Sequence, residues 1–160
     1  MGSVEVRKAT RDDLVAIGRV ADAAHWDAYS GLLDPATISA LLQRDFSPGP
    51  LRRRLLSGGV VVGEESGRLI GFADAAVDTD QVRLTALATD PQRRHAGVAA
   101  ALLQAVRRLA PELPVCADVL LGCFPVEGYL EAQGFSPGEI LHTTLFGEQA
   151  VERRWWLAPV

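Results

Sequence analysis

The order of apolar and polar residues along the first third of the chain predicts one strand followed by two helices. Residues 4–7 alternate between apolar and polar side chains, which is typical of a short strand. Thr10 can cap a following helix, and Asp12 and Asp13 complement its positive end. A second helix is predicted over residues 35–43, and the two prolines and the glycine of residues 46–50 predict a break after it. The apolar residues of the first helix recur at helical spacing: Leu14, Ile17, Val20, Ala21 and Ala24.

The remainder of the chain predicts six more strands and two more helices. Two β-rich runs meet at Ser66-Gly67, a pair that favours a hairpin turn. From Gly97 the apolar period becomes helical, and Pro111 ends that helix. The predicted strands cover residues 60–65, 68–77, 82–88, 114–121, 140–146 and 151–157, and the helices cover residues 97–109 and 125–133. The order β-α-α-β-β-β-α-β-α-β-β indicates an α+β or mixed α/β fold with helices on a mixed sheet.

Length, composition and charge indicate one soluble domain. The chain has 160 residues, of which 48% are apolar and 22% charged, so we expect a single domain over residues 1–160. A net charge of −4 argues against a protein that coats nucleic acid. Charged residues stand where a signal peptide would be apolar, and no apolar run could span a membrane, which predicts a cytoplasmic protein without membrane contact. The spacing of Cys116 and Cys123 fits neither a CxxC redox pair nor a zinc site, so we expect two buried, reduced thiols.

The most informative segment, residues 84–103, is a strand that enters a basic turn and then a helix. Arg93, Arg94 and His95 occupy the turn, and Gly97 with the small residues after it would let a ligand approach the backbone closely. The free N–H groups of a helix's first turn favour an anion, which points to a phosphate or diphosphate site. The segment contains neither a Walker loop nor a GxGxxG motif. The alternative, left open by these residues alone, is an ordinary connection with a solvated basic turn.

Residues 90–99, with the sequence DPQRRHAGVA, resemble the central acetyl-CoA motif of the GNAT-superfamily N-acetyltransferases. Arg94, Gly97 and Ala99 match the defining places of that motif. Residues 7–24, the hairpin GRLIGFA and the segment CFPVEGYLEAQGF resemble the family's first strand and helix, its second hairpin and its fourth helix, in the right order. The resemblance implies a GNAT-like fold, with a central mixed, mostly antiparallel sheet of about 6–7 strands flanked by about four helices.

The resemblance also implies where the cosubstrate would bind. Acetyl-CoA would lie in a V-shaped split between the strand ending near Thr89 and the strand starting near Pro114. Its pantetheine arm would pair with the backbone of Leu87, Ala88 and Thr89 as an extra strand would. The implied cofactor-binding residues around the diphosphate are Arg94, His95, Ala96, Gly97, Val98, Ala99 and Ala100.

The mechanism that the resemblance implies is direct attack of a primary amine on the thioester, with no metal ion and no covalent enzyme intermediate. A tyrosine of the fourth helix often serves as general acid in this family. Leu130 stands at that place here, so Tyr129, displaced by one residue, becomes the candidate acid. Cys123 stands where many members have an asparagine near CoA. The candidates for the general base are Glu64, Glu65, Asp78, Asp80 and His142, of which a histidine suits neutral pH best.

The acceptor is expected to be a small-molecule or peptide amine, bound beside the first helix. Trp26 and Tyr29, next to His25 and Asp27, would form an aromatic and acidic lining that suits a cationic amine. The family also admits a homodimer, in which Trp155 or Trp156 would take part. Two alternatives remain. One is a catalytically idle acyl-CoA-binding sensor of the same fold, which Leu130 and Cys123 favour. The other is an interaction domain whose basic turn binds no phosphate.

Overall fold

A computed structural model describes residues 3–93 and 97–160. These residues form seven strands and five α-helices, and short 3-10 turns at Arg11–Asp13 and Pro91–Arg93 precede α1 and α4. The elements are β1 (Val4–Lys8), α1 (Leu14–Tyr29), α2 (Pro35–Phe46), α3 (Pro48–Leu56), β2 (Val60–Glu65), β3 (Arg68–Val77), β4 (Val82–Thr89), α4 (Val98–Arg107), β5 (Val115–Leu120), α5 (Phe124–Ala132), β6 (Ser136–Leu145) and β7 (Glu148–Leu157).

All seven strands form one sheet in the order β1-β2-β3-β4-β5-β7-β6. Neighbouring strands are antiparallel except β4 and β5, which are parallel. A parallel pair needs a crossover connection, and α4 supplies it. The mixed, mostly antiparallel sheet predicted from the sequence is therefore confirmed.

Helices cover both faces of the sheet, which explains the unbroken apolar run of β2. Val61 packs in a core cluster with Val98 and Leu102 of α4, whereas its neighbours Val60 and Val62 pack on the other face against α1 and α3. A third cluster joins α2 to the far strands of the sheet, and its buried members are Leu33, Ile38, Leu41, Leu120, Cys123 and Ala150. The sheet thus separates an α4/α5 face from an α1/α2 face.

The helix α3 corrects the predicted break at residues 46–50. Pro48 stands at the start of this helix, where the missing N–H has no partner to lose, so the prolines begin a helix and do not interrupt one. Leu51 anchors α3 in the core, and Arg54 forms an ion pair with the buried Asp74 of β3. The observed element order is therefore β-α-α-α-β-β-β-α-β-α-β-β, with five helices where four were expected.

Asp13 has a more specific role than the predicted complement to a helix end. Its two carboxylate oxygens accept hydrogen bonds from Arg7, at 2.8 and 2.9 Å, and one of them also accepts the Thr10 backbone N–H at 2.7 Å. The Arg7 guanidinium, which also binds Glu64 of β2, holds the pKa of the Asp13 carboxyl below its usual value. The contact fastens the start of α1 to the edge strand β1.

The two C-terminal tryptophans of β7 take opposite faces of the sheet, as strand alternation predicts. Trp155 is buried in the cluster of the α4/α5 face. Trp156 is half-buried, and its indole N–H donates to Glu139 at 3.2 Å. Of the two residues expected at a subunit contact, Trp155 is therefore already covered by its own chain, and the homodimer stays a prediction.

Candidate active site

The strands β4 and β5 separate soon after they start, and this opens a split in the middle of the sheet. Val82 pairs with Val115 and Arg83 pairs with Cys116, and no further β4–β5 pair occurs in the part of the chain that the structure describes. Both strands continue, to Thr89 and Leu120, and each stays paired on its outer side. The inner edge of β4 therefore carries backbone N–H and C=O groups without a strand partner.

A β-bulge directly after Arg83 accounts for the separation. Asp74 of β3 pairs with Ala86, but Ala75 pairs with Leu84, so Thr85 is an extra residue in β4. The Thr85 hydroxyl donates to the backbone carbonyl of Asp74 at 2.9 Å and holds the bulge in place. Because a bulge bends the strand that contains it, β4 turns away from β5 at this point.

The split holds a cavity of about 690 Å³, which suits a small-molecule ligand. Residues 84–89 of β4 form one wall and residues 117–120 of β5 form the other. The helices α1, α2, α4 and α5 each add side chains to the lining. The cavity therefore reaches both faces of the sheet through the gap between the strands.

The N-terminus of α4 lies at the end of β4 and faces this cavity through Ala99. Gly97 precedes the helix with a φ of +78°, a left-handed conformation that favours glycine. The N–H groups of Val98, Ala99 and Ala100 lack intrahelical acceptors because they belong to the first turn. Among the other predicted cofactor-binding residues, Leu87, Ala88 and Thr89 line the cavity. Arg94, His95 and Ala96 lie outside the described residues.

Two glycines of the sheet let α4 lie close enough to bring its first turn to the split. Gly63 of β2 and Gly71 of β3 pair with each other beneath α4. A Cβ on Gly63 would overlap Cγ2 of Val98, and a Cβ on Gly71 would lie 3.2 Å from the same atom and 3.1 Å from the carbonyl oxygen of Ala88. Because neither position carries a side chain, α4 can pack at this short distance from the sheet.

Tyr129, the candidate acid, lines the cavity from α5. Its hydroxyl is buried and has no hydrogen-bond partner among the described residues. Burial raises the pKa of this hydroxyl, which keeps it protonated near neutral pH. The neighbouring Leu130 is 3% exposed and packs in the core of the α4/α5 face. Tyr129 therefore reaches the cavity although it stands one residue away from the family's usual tyrosine position.

Of the two predicted acceptor-binding residues, Tyr29 lines the cavity and Trp26 does not. Burial raises the pKa of Tyr29 to about 12, with smaller contributions from Cys123 and Glu152. Trp26 packs beside α2 in the third cluster, where it supports the end of α1. His25 also lines the cavity, its ring packing edge-on against Tyr29 at 5.2 Å, and burial lowers its pKa so that the neutral ring predominates at pH 7.

The predicted bases do not line the cavity. His142 lies exposed on the edge strand β6, where it lines a separate outer depression of about 670 Å³ between the β6–β7 hairpin and the α1–α2 connection. Glu64 binds Arg7 and Glu65 pairs with Arg93. Asp78 pairs with Arg83, and Asp80 is exposed in the β3–β4 turn.

Four carboxylates line the cavity: Asp27, which the sequence analysis named beside the acceptor, and Asp45, Asp118 and Glu152, which it did not select. Asp118 of β5 accepts two hydrogen bonds from Arg154, at 2.7 and 2.9 Å, and Asp45 forms an ion pair with Arg44. Glu152 shares a face of β7 with Arg154 and Trp156, so the alternation of this strand could have placed it on the α1/α2 face. These residues give the cavity an acidic character.

Both cysteines are free and buried, as the sequence predicted. The Cys123 thiol donates to the backbone carbonyl of Ala28 at 3.7 Å, which ties the start of α5 to α1. Burial raises the pKa of both thiols. Cys123 lines the cavity, but its sulfur is engaged inside the protein.

The sequence over most of the split sheet matches a known protein family. Residues 24–135, more than half of the chain, match the model described as the acetyltransferase (GNAT) family. The chain belongs to this GNAT family. Members of the GNAT family are acyltransferases, and the fold and order of elements described above are those of the GNAT structures that it resembles.

Solved GNAT structures superpose on nearly the whole chain. The PaiA N-acetyltransferase of Thermoplasma acidophilum, solved in complex with coenzyme A, gives a TM-score of 0.82 at 18% identity, covering 94% of this chain and 98% of that one. A GCN5-related N-acetyltransferase of Rhodopseudomonas palustris gives 0.83 at 15% identity, with 99% and 97% covered. The ribosomal-protein-S18-alanine N-acetyltransferase of Escherichia coli gives 0.71 at 16%, with 96% and 92% covered. No curated protein matches the sequence.

No group of three or more histidine, cysteine, aspartate or glutamate side chains that could hold a metal ion occurs within residues 3–93 and 97–160. Over the same residues, no helix has the length and apolar character required to cross a membrane.

Proposed function

We propose that this protein transfers the acetyl group of acetyl-CoA to a primary amine, which attacks the thioester directly inside the split. The observation that carries the proposal is the separation of β4 from β5 after the Arg83–Cys116 pair. It leaves a free strand edge, the first turn of α4 and an unpartnered tyrosine hydroxyl around one cavity. These groups fit a long, amide-containing thioester with a diphosphate at one end.

The inner edge of β4 would hold the pantetheine arm. Leu87, Ala88 and Thr89 line the cavity, and their backbone groups on the β5 side have no strand partner among the described residues. An extended ligand with amide groups can hydrogen-bond such an edge as an added strand does. The bulge at Thr85 supports this arrangement because it turns the free edge toward the cavity.

The first turn of α4 would hold the diphosphate. Its N–H groups point out of the helix end, where the helix dipole favours negative charge. Gly97 and the methyl side chains of Ala99 and Ala100 leave room for phosphate oxygens to approach the backbone. We propose the same role for Arg94, His95 and Ala96, which complete the family's motif in the sequence.

Tyr129 would donate the proton that the leaving thiolate takes up. The raised pKa keeps the phenol protonated, and no described residue accepts a hydrogen bond from the hydroxyl in competition with the ligand. A positioned acid of this kind typically accelerates a proton-dependent step by about 10²–10⁴-fold. The sequence-based assignment of this tyrosine is thereby supported by its position.

The acceptor would be a cationic small-molecule or peptide amine. The acidic lining of the cavity attracts an ammonium group, and Tyr29 offers an aromatic face beside it. Trp26 would act on the acceptor only indirectly, through its support of α1. The cytoplasmic location, the single domain over residues 1–160 and the absence of nucleic-acid partners remain predictions from the sequence.

A sensor that binds acetyl-CoA without turnover is the second candidate function. It is favoured by the core position of Leu130 and by the Cys123 thiol, which is engaged with Ala28. Both residues stand where other family members have polar groups near CoA. The Tyr129 hydroxyl favours the enzyme, because a sensor has no need of an unpartnered acid in the cavity.

Release of the CoA thiol in the presence of different amines tests the proposed activity. The panel contains 1,4-diaminobutane, an aminoglycoside, Nα-acetyl-lysine amide and a peptide with a free N-terminus, each incubated with acetyl-CoA and the protein. We expect at least one amine to raise thiol release well above acetyl-CoA hydrolysis and to give the N-acetyl product by mass spectrometry. Tight acetyl-CoA binding without release from any amine would indicate the sensor instead.

A further inference from the structure

We propose that Glu152 is the general base that takes a proton from the acceptor amine, an inference that rests on the proposed function. Glu152 lines the cavity from β7, and sequence reasoning placed the base elsewhere. Three observations carry the assignment: its position on the opposite face of the sheet from Tyr129, the lack of a partner for its carboxylate among the described residues, and its place where the cavity adjoins the outer depression.

The sheet places Glu152 and Tyr129 on opposite faces, Glu152 on the α1/α2 face and Tyr129 on the α4/α5 face. Glu152 is paired in register with Leu120 of β5, and Leu120 packs on the α1/α2 face together with Ala150, two residues before Glu152. Tyr129 packs against the core of the α4/α5 face. Both side chains line the same cavity, so a thioester in the split would have an acid on one side and a base on the other.

The Glu152 carboxylate is available, whereas its acidic neighbours are engaged. Both oxygens of Asp118 are occupied by Arg154, and Asp45 is paired with Arg44. Within the described residues, the Glu152 side chain has neither an ion pair nor a hydrogen bond. A half-buried carboxylate of this kind can accept a proton from a ligand without first breaking an internal contact.

The charged and titratable groups around Glu152 suit it to this task. Burial raises the pKa of Glu152, Asp118 raises it further, and Arg154 opposes both. From the facing elements, Tyr29 of α1 and the Cys123 thiol before α5 remain neutral near pH 7 because burial raises the pKa of each. A carboxylate with a raised pKa is a stronger base than an exposed one.

Glu152 also lies where the cavity meets the outer depression. Leu120 lines both spaces, and Ala150 and Val151, the residues just before Glu152, line the outer depression. An amine bound in the outer depression would therefore lie next to the segment of β7 that carries Glu152. The outer depression is acceptor-side space in this arrangement, and His142 contributes to its wall.

The proton balance of the reaction is complete with these two residues. Glu152 accepts one proton from the ammonium group, which leaves a neutral amine. The nitrogen–carbon bond forms as the carbon–sulfur bond breaks, and Tyr129 gives a proton to the departing sulfur. The nitrogen loses its second proton to water, water returns a proton to Tyr129, and Glu152 gives the proton that it accepted to water. The products are the N-acetylamine and the CoA thiol, with one proton released overall.

Replacement of the carboxylate by its neutral amide tests the assignment. Glu152→Gln, with acetyl-CoA and the best amine of the panel above, should lower kcat/KM by about 10²-fold or more and remove the wild-type fall in rate toward acidic pH. Glu152→Asp, which keeps the carboxylate, should recover part of the rate and retain the acidic fall. Glu131→Gln, the same change at an exposed position of α5, should behave as wild type.

Two measurements that do not depend on turnover complete the test. Thermal stabilisation by acetyl-CoA should be equal in wild type and Glu152→Gln, and carboxyl NMR should show the Glu152 signal titrating above the ordinary glutamate range. Equal rates and equal pH profiles in wild type and Glu152→Gln would overturn the assignment while leaving the proposed function intact. A wild-type protein that acetylates no amine of the panel would overturn both.

Discussion

Arg83 of β4 and Cys116 of β5 form the last backbone pair between these two strands in the part of the chain that the structure describes. Beyond this pair the bulge at Thr85 turns β4 away, and the sheet opens into the cavity. The proposed cosubstrate site, the acid and the base all depend on this separation.

Gly97→Val should abolish most acetyl-CoA binding. The φ of +78° strains any β-branched residue, and the new side chain would lie beside the first turn of α4, where the diphosphate is proposed to bind. We expect calorimetry to show affinity weakened by about tenfold or more, equivalent to ~1.4 kcal/mol. Gly147→Val, at a φ of +86° and likewise in open space, controls for strain alone and should retain wild-type affinity. Equal affinity in the Gly97 variant would contradict the proposed diphosphate position.

Gly63→Ala should weaken both the fold and the cosubstrate site. The added Cβ would overlap Cγ2 of Val98 and lift the first turn of α4 from the sheet. Overpacking of this kind costs about 1–3 kcal/mol of unfolding free energy, which denaturant titration can measure. Gly49→Ala is the matched control, since a Cβ there meets nothing within 4 Å. If the Gly63 variant bound acetyl-CoA as tightly as the control, the height of α4 would not matter for the site.

Tyr129→Phe should lower kcat and leave acetyl-CoA binding unchanged. The substitution removes only the hydroxyl, which is buried and has no partner among the described residues, so stability should change little. A loss of about 10²-fold in kcat is expected for a positioned acid. Tyr29→Phe, the same change on the acceptor side, keeps the aromatic face and should leave kcat near the wild-type value. An unchanged kcat in the Tyr129 variant would remove this residue from the mechanism.

The ion pair between Arg7 and Asp13 predicts a loss of stability in acid. Because the folded protein lowers the pKa of Asp13, the ionised carboxylate stabilises the fold above the ordinary aspartate pKa. This contribution should disappear as the pH falls through the lowered, folded-state pKa. Asp13→Asn should cost about 1–3 kcal/mol at neutral pH, because it leaves Arg7 and the Thr10 N–H poorly paired.

Denaturant titrations of wild type and Asp13→Asn across the acidic range check this account. The difference between the two proteins should be largest near neutral pH and should shrink toward strong acid. A constant difference at every pH would mean that the charge of Asp13 does not contribute. Asp12→Asn, at the neighbouring exposed acid, is the matched control and should leave the pH dependence unchanged.

The periodic spacing of apolar residues predicted most of the fold, because each strand and helix buries the face on which its apolar residues lie. The valines of β2 and the apolar stripe of α4 are examples. The helix α3 was missed because Pro48 and Pro50 were interpreted as a break, although proline also fits a first helical turn. The order of apolar and polar residues alone does not distinguish a proline that breaks a helix from one that begins a helix.

The site was predicted less completely than the fold. Leu87, Ala88, Thr89 and Tyr129 were found through the family resemblance, and all four line the cavity. The bulge at Thr85 moves Ala86 and Ala88 to the face opposite Val82 and Leu84, but residues 86–88 are all apolar, so the sequence pattern does not show the shift. Glu152 was missed because the strand that holds it reaches the split only through pairing with β5, a contact between distant segments that local patterns do not encode.

Thermal unfolding with acetyl-CoA, CoA and NADH side by side tests the central claim most directly. A hundredfold excess over the dissociation constant should add about 2.7 kcal/mol to the free energy of unfolding, which raises Tm by several degrees. We predict this rise with acetyl-CoA and with CoA, and none with NADH, whose diphosphate lacks a pantetheine arm for the edge of β4. No rise with either CoA species, or an equal rise with NADH, would contradict a CoA site in the split between β4 and β5.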